Sequence, residues 1–261
     1  MIVLPGASGK APRASFFEAA SDGRCPVLTM TYPGWRRYAE AGFAPPALID
    51  DLAAKVTEFV PSGRLVIAGV SIGGHFGYAL ALRLEAMARE LAGVCAIDTF
   101  MIDSASPSVG WQRRAWEQAR KMFSERRFRD LLRLIHSKFW RAAMRAGGAR
   151  LPGLLERYTV LGASVAGEGS MFEEELSMRS LIRLVAPWVA SLDVDPIPLT
   201  VPFALIRGAS TALDDVAWRR RCPHAVVHEV AGDHFTMWDA ENIDALRRTF
   251  SDVINPWVPR S

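Results

Sequence analysis

Apolar residues along this chain follow two different periods. Short runs in which nearly every position is apolar or β-branched (Ile2–Leu4, Val27–Met30, Leu65–Val70, Val94–Ile97, Phe203–Arg207 and Val226–Val230) predict strands buried on both faces. Between them lie longer stretches with apolar residues three and four apart. These predict helices over Ala14–Ala20, Ala47–Phe59, Gly73–Arg89, Asp214–Arg221 and Asn242–Phe250. Strands alternating with helices predict an α/β domain, with a mostly parallel sheet and helices on both faces.

One segment breaks the alternation. From about Asp103 to Leu192 no strand pattern occurs, while Trp116, Met122, Phe123, Phe128, Leu131, Leu132, Ile135 and Phe139 recur at helical spacing. Gly147–Gly148 and the run from Gly162 to Gly169 punctuate it. The reading is one domain over residues 1–261, carrying an inserted helical block over about 103–192.

Composition narrows the classes. A chain of 261 residues that is 50% hydrophobic and 23% charged has the makings of one packed core. A net charge of +3 and a pI near 8.9 do not suggest a nucleic-acid binder. Cys25, Cys95 and Cys222 are far apart and odd in number, which suits neither a disulfide framework nor a zinc site. No apolar run approaches the 18 or so residues of a membrane span, and the start has no signal-peptide pattern. The plain expectation is a reduced, cytoplasmic protein with no membrane partner.

The strongest local signal is Gly69-Val70-Ser71-Ile72-Gly73-Gly74, between the strand LVIAG and the helix GHFGYALALRLEAM. A G-x-S-x-G turn from strand to helix holds its serine in a strained conformation above the sheet and aims the helix N-terminus at the reacting centre. Ser71 is therefore the candidate nucleophile, and the N–H of Ile72 a candidate oxyanion donor. With this turn in place, the helical insertion reads as a lid. The alternative is an extra helical layer with no substrate role.

Of five histidines, His234 lies in the loop Ala231–Phe235 between the last strand and the last helix, where chain order places the base of such a serine. His75 sits just past the turn and reads as a packing or surface residue. His136 falls in the insertion, and His224 and His228 flank or lie in the last strand. For the acid, Asp98 ends the strand after the turn's helix, at the sheet's carboxyl edge. Asp214 and Asp215 follow the next strand, but Arg207 to Leu213 intervene. Asp98 is favoured, and Asp103 is a third choice.

At this point the chain resembles, nearly end to end, the thioesterase domains that close polyketide and nonribosomal-peptide assembly lines, within the α/β-hydrolase superfamily. LPGASG resembles that family's first strand and oxyanion loop, and TYPGW its motif after the next strand. LVIAGVSIGGHFGYALALRLEAMARELAGVCAIDTF resembles the turn, helix and aspartate block, and AGDHFTMW the histidine loop. Val70 departs from the family, which often has histidine before the serine. The chain also begins almost at its first strand, as an excised domain or a compact free-standing enzyme would. The resemblance implies that the acid is Asp98. It also implies that a second oxyanion N–H comes from Gly6, with Ala7 the neighbouring alternative. The implied reaction is attack by Ser71 on an acyl thioester carried on the 4'-phosphopantetheine of an acyl or peptidyl carrier protein. Water, or a hydroxyl or amine of the chain itself, then releases the acyl group. No metal or bound redox cofactor is implied.

Between Trp111 and Arg150 there are twelve Lys or Arg against three Asp or Glu, so the rest of the chain is net negative. Such a face is either merely solvated or a docking surface for an acidic partner. Carrier proteins are typically acidic, which makes Arg126, Arg127 and Arg129 candidate docking residues. Trp111, Trp116, Phe139, Trp140 and Trp188 are either core or lining of an acyl pocket. Three other functions share much of this pattern: a carboxylesterase or lipase, an editing thioesterase acting in trans, and a non-catalytic hydrolase-like binding protein.

Overall fold

The computed structural model describes residues 1–99, 168–211 and 215–258. Its strands are β1 (Ile2–Leu4), β2 (Leu28–Thr29), β3 (Leu65–Val70), β4 (Leu91–Ile97), β5 (Phe203–Gly208) and β6 (Val226–Val230). They form one sheet in the order β2-β1-β3-β4-β5-β6, and every neighbouring pair is parallel. β1, β3 and β6 have the bounds expected from the apolar runs. β2 is shorter than Val27–Met30, because it is an edge strand that pairs only with β1, through Ile2–Leu28 and Val3–Thr29.

Successive side chains on a strand point to opposite faces, so each strand feeds two cores. Ile2, Leu4, Ile67, Val94, Ala96, Phe203 and Leu205 enter one; Val3, Val66, Ala68, Cys95, Ile97, Ala204 and Ile206 enter the other. The first core is closed by α3 (Pro45–Phe59), α4 (Gly73–Ala86), α5 (Glu168–Leu192) and α6 (Asp215–Arg221). α3 starts on Pro45 and Pro46, which have no N–H to lose in a first turn. It buries Leu48, Ile49, Leu52 and Val56 at helical spacing. α5 contributes Leu181, Val185 and Val189, and has Pro187 within it. The second core is closed by α1 (Ala14–Ala20) and α7 (Ile243–Ile254), with Phe17 edge-on to Phe250 at 5.3 Å. Two short helical turns have no counterpart in the periodicity, being under two turns long: α2 (Trp35–Tyr38) and a 3₁₀ turn at Thr236–Trp238.

By internal contacts the chain divides into two units, Met1–Ile102 with Leu176–Ser261, and Asp103–Glu175. Among the described residues no helix is long and apolar enough to cross a membrane. The topology decides where a ligand meets the first unit. From β1 the chain steps outward to β2, then returns past β1 to β3 and proceeds the other way. The order reverses between β1 and β3, and the crevice beyond the carboxyl ends of such strands is the usual ligand site of an open α/β sheet.

Candidate active site

The residues singled out from sequence follow the carboxyl ends of the strands: Gly6 and Ser71 after β1 and β3, which flank the switch point, Asp98 after β4 and His234 after β6. Ser71 follows β3 with φ +54°, a left-handed conformation that a non-glycine residue adopts at a cost of roughly 1–2 kcal/mol. Gly69 shows why the turn needs glycine: a Cβ there would come within 2.2 Å of the Gly73 carbonyl oxygen. Backbone bonds over-determine the strained residue. Ser71 N–H donates to the Ile97 carbonyl at 2.7 Å, and Ser71 C=O accepts from Gly74 N–H at 3.0 Å. The loop after β1 closes on the same point, since a Cβ built on Gly6 would lie 3.4 Å from Ser71 Cβ. Among the described residues, the backbone N–H groups of Gly6, Ala7 and Ile72 enter no backbone hydrogen bond, which leaves them available to an oxyanion.

Asp98 directly follows β4, is 1% exposed, and also has positive φ, at +46°. Its carboxylate collects three donors. Gly208 N–H reaches Oδ1 at 2.8 Å, Thr211 Oγ1 reaches Oδ2 at 3.3 Å, and His234 Nδ1 reaches Oδ2 at 2.6 Å. A carboxylate at Nδ1 places the ring proton on that nitrogen, so the lone pair that a base needs is on Nε2. The segment Arg207–Leu213, read from sequence as intervening before Asp214, thus supplies two of Asp98's partners, Gly208 at the end of β5 and Thr211 just after it. Asp215 opens α6; Asp103 and Asp214 lie outside the described residues.

His234 is held by its own loop. Asp233 Oδ1 accepts from Phe235 N–H at 3.0 Å, and from Thr236 N–H and Oγ1 at 2.9 Å each. Thr236 Oγ1 accepts in turn from Asp233 N–H at 2.8 Å. These bonds, the Thr236 N–H first, draw the Asp233 carboxyl below its ordinary pKa. An Asp-x-x-Thr spacing ahead of a helical turn is a capping signature that could have been read from sequence. Phe235 is 78% exposed and stands edge-on to the His234 ring at 5.1 Å.

His75 is a packing residue. It is fully buried, stacks on Trp218 at 5.1 Å, and its Nδ1 lies 3.1 Å from Arg221 Nη1. Arg221 is itself buried, pairs with Asp193 at 2.9 Å, and donates to the Val189 carbonyl at 2.8 Å. Trp188 stacks on Phe76 at 5.3 Å and lines a groove of about 270 Å³ with Pro46, Ile49, Asp50, Ala79, Arg83 and Leu192. Arg83 lies twelve residues along the sequence from Ser71, about 18 Å at helical rise, so this groove is not the site at the switch point. Trp111, Trp116, Phe139, Trp140, His136, Arg126, Arg127 and Arg129 lie outside the described residues. Among those described, no group of three His, Cys, Asp or Glu side chains is placed to hold a metal ion.

Several solved structures of similar shape are thioesterases. The RedJ thioesterase from the prodiginine biosynthetic pathway of Streptomyces coelicolor superposes with a TM-score of 0.58 at 16% identity, over 96% of this chain and 84% of that one. The Vlm2 thioesterase domain, in a structure with a bound dodecadepsipeptide, gives 0.54 at 17% identity over 99% and 93%. The type II thioesterase BorB from the borrelidin biosynthetic cluster gives 0.54 at 18% identity over 97% and 90%. At these identities the likeness speaks to fold. No curated protein matches the chain closely enough in sequence to count as a relative. The sequence profile of the alpha/beta hydrolase family matches residues 1–249. With that match, a parallel sheet, a serine on a strained strand-to-helix turn and a histidine bonded to a strand-end aspartate, the chain belongs to the alpha/beta hydrolase family.

Proposed function

We propose that this protein is an acyl-thioesterase that releases an acyl, polyketide or peptidyl chain from a phosphopantetheinyl carrier protein. The observation that carries the reading is the bond at 2.6 Å between His234 and the buried Asp98, on a strand end whose neighbouring residues bond the backbone of Ser71. In the proposed cycle His234 Nε2 takes the Ser71 hydroxyl proton as Oγ attacks the thioester carbonyl. The N–H groups of Ile72 and Gly6 bear the oxyanion, and His234 then protonates the leaving thiolate. Asp98 keeps the imidazole in the required tautomer and stabilises the imidazolium. Water or an internal nucleophile, deprotonated by the same histidine, releases the acyl group. The basic run containing Arg126, Arg127 and Arg129 would receive an acidic carrier, by charge complementarity.

A second reading, an editing thioesterase that clears carriers in trans, draws support from the likeness to BorB over 97% of this chain. A carboxylesterase would use the same serine, histidine and aspartate. Octanoyl and longer acyl N-acetylcysteamine thioesters, compared with matched oxygen esters for wild type and Ser71→Ala, separate the thioesterase readings from the esterase. Thioester turnover that disappears in the variant is the expected result. Turnover confined to oxygen esters would make the protein an esterase, and turnover surviving Ser71→Ala would refute the nucleophile.

A further inference from the structure

Asp98 is followed by Thr99, a residue that no sequence motif singled out. Thr99 is fully buried, and its hydroxyl donates to the Ser71 carbonyl at 2.6 Å. That carbonyl belongs to the same peptide unit as the Ile72 N–H. A trans peptide is planar with its C=O and N–H opposed, so whatever fixes the carbonyl also aims the amide hydrogen. A donor on the carbonyl further polarises the unit and makes its N–H the stronger donor.

The hydroxyl is itself built in place. Thr99 C=O accepts from Trp218 Nε1 at 3.0 Å, and the Trp218 ring stacks on His75 at 5.1 Å and on Phe203 at 4.9 Å. The first turn of α4 leaves room for it: a Cβ on Gly74 would fall 2.0 Å from Thr99 Oγ1 and 2.7 Å from its Cβ. Glycine at 74 is thus required by the side chain at 99, on a different element. Two consecutive residues at the end of β4 therefore divide the work, Asp98 holding the histidine and Thr99 the peptide after the serine.

From this geometry we infer that Thr99 is a positioning residue of the oxyanion hole, acting through the Ser71–Ile72 peptide. The inference rests on Ser71 being the nucleophile. Deleting an oxyanion donor outright costs roughly 10²–10³ in kcat. Removing a bond that aims and polarises the donor costs less, on the order of tenfold.

The test is Thr99→Val, which keeps shape and loses the hydroxyl, beside Thr99→Ser, which keeps the hydroxyl. The substrate is the octanoyl thioester, and the inhibitor an alkyl trifluoromethyl ketone. Ser71 Oγ adds to that ketone's carbonyl, its proton passes to His234, and the hemiketal oxyanion lies in the hole. For Thr99→Val we expect kcat lower by about tenfold, KM unchanged, and the ketone's inhibition constant raised by the same factor. Thr99→Ser should stay near wild type. Thr99→Ala should match the valine variant, so poor folding of one leaves the other to decide. Three results would each overturn the inference: an unchanged kcat in Thr99→Val, a serine variant as slow as the valine variant, or slower turnover with unaltered binding of the ketone. Ser71→Ala run in parallel tells the failures apart. If it retains turnover, the nucleophile assignment falls and this inference with it; if it is inactive while Thr99→Val is normal, only this inference falls.

Discussion

Replacing Asp98 by asparagine changes one atom, and the structure dictates which way the new amide must face. Gly208 N–H points at Oδ1 from 2.8 Å in a buried site, so that position must remain an acceptor. Turning the amide over would set two N–H groups against each other and strand a buried donor, at roughly 1–3 kcal/mol. The NH₂ therefore occupies the Oδ2 position, 2.6 Å from His234 Nδ1 and 3.3 Å from Thr211 Oγ1. The threonine hydroxyl can rotate to accept. The imidazole can only answer by making Nδ1 the acceptor, which moves its proton to Nε2, where the proposed mechanism needs a lone pair. Reaching the productive tautomer then costs again about 1–3 kcal/mol, or 5- to 150-fold in rate. Loss of the negative charge beside the forming imidazolium adds to this. Together they should lower kcat by about 10³–10⁴, equivalent to roughly 4–5.5 kcal/mol. The assay is kcat and kcat/KM on the preferred acyl thioester for wild type, Asp98→Asn and Ser71→Ala. Thermal unfolding of each separates lost chemistry from lost fold. A folded Asp98→Asn enzyme within tenfold of wild type would refute the tautomer argument, and with it the assignment of Asp98 as the orienting acid.

Two further predictions concern the frame around the site. Arg221→Met should destabilise the protein by about 3–5 kcal/mol in urea unfolding. It removes the buried partner of a part-buried ion pair, leaves Asp193 without its cation, and strips a donor from the Val189 carbonyl; a loss below 1 kcal/mol would mean that solvent replaces the pair. Asp233, whose carboxyl is held below its ordinary value by the Thr236 and Phe235 donors, should make the His234 loop acid-sensitive. A depressed carboxylate contributes stability that is present above the ordinary aspartate value near 3.8 and is lost as pH falls through the folded one. Unfolding midpoints measured from pH 6 down to pH 3 should therefore fall less steeply for Asp233→Asn than for wild type. Parallel curves would refute this.

What the sequence determined by itself is local. Strands β1 and β3 and helix α1 match the apolar pattern residue for residue, because burial on two faces or along one stripe is written into neighbouring positions; β6 has the expected bounds but, as an edge strand, buries only Val230. The turn at Ser71 was legible for a similar reason. Gly69 answers to a contact four residues on, the Gly73 carbonyl, although Gly73 and Gly74 answer to the distant Pro5 backbone and Thr99 side chain. The position of His234 in the loop after the last strand follows from chain order alone.

What depends on packing between distant segments had no local signature. Asp98 meets His234 across 136 positions and Gly208 across 110; its strand-end position favoured it in the sequence, but the partners that hold it appear only once β4 and β5 are side by side. The residues from Arg207 to Leu213 read as a spacer; in the fold Thr211, the third residue after β5, holds the acid together with Gly208. His75 joins Arg221 across 146 positions, and one helix's sequence could only leave it as packing or surface. Thr99 is the plainest case. In the sequence it is an ordinary residue after an aspartate. Only the parallel pairing of β3 with β4, and the indole of Trp218 behind it, bring its hydroxyl to the carbonyl of Ser71. Periodicity specifies which face of an element is buried. Which residue of another element it meets there is decided by strand order and register, properties of the sheet as a whole.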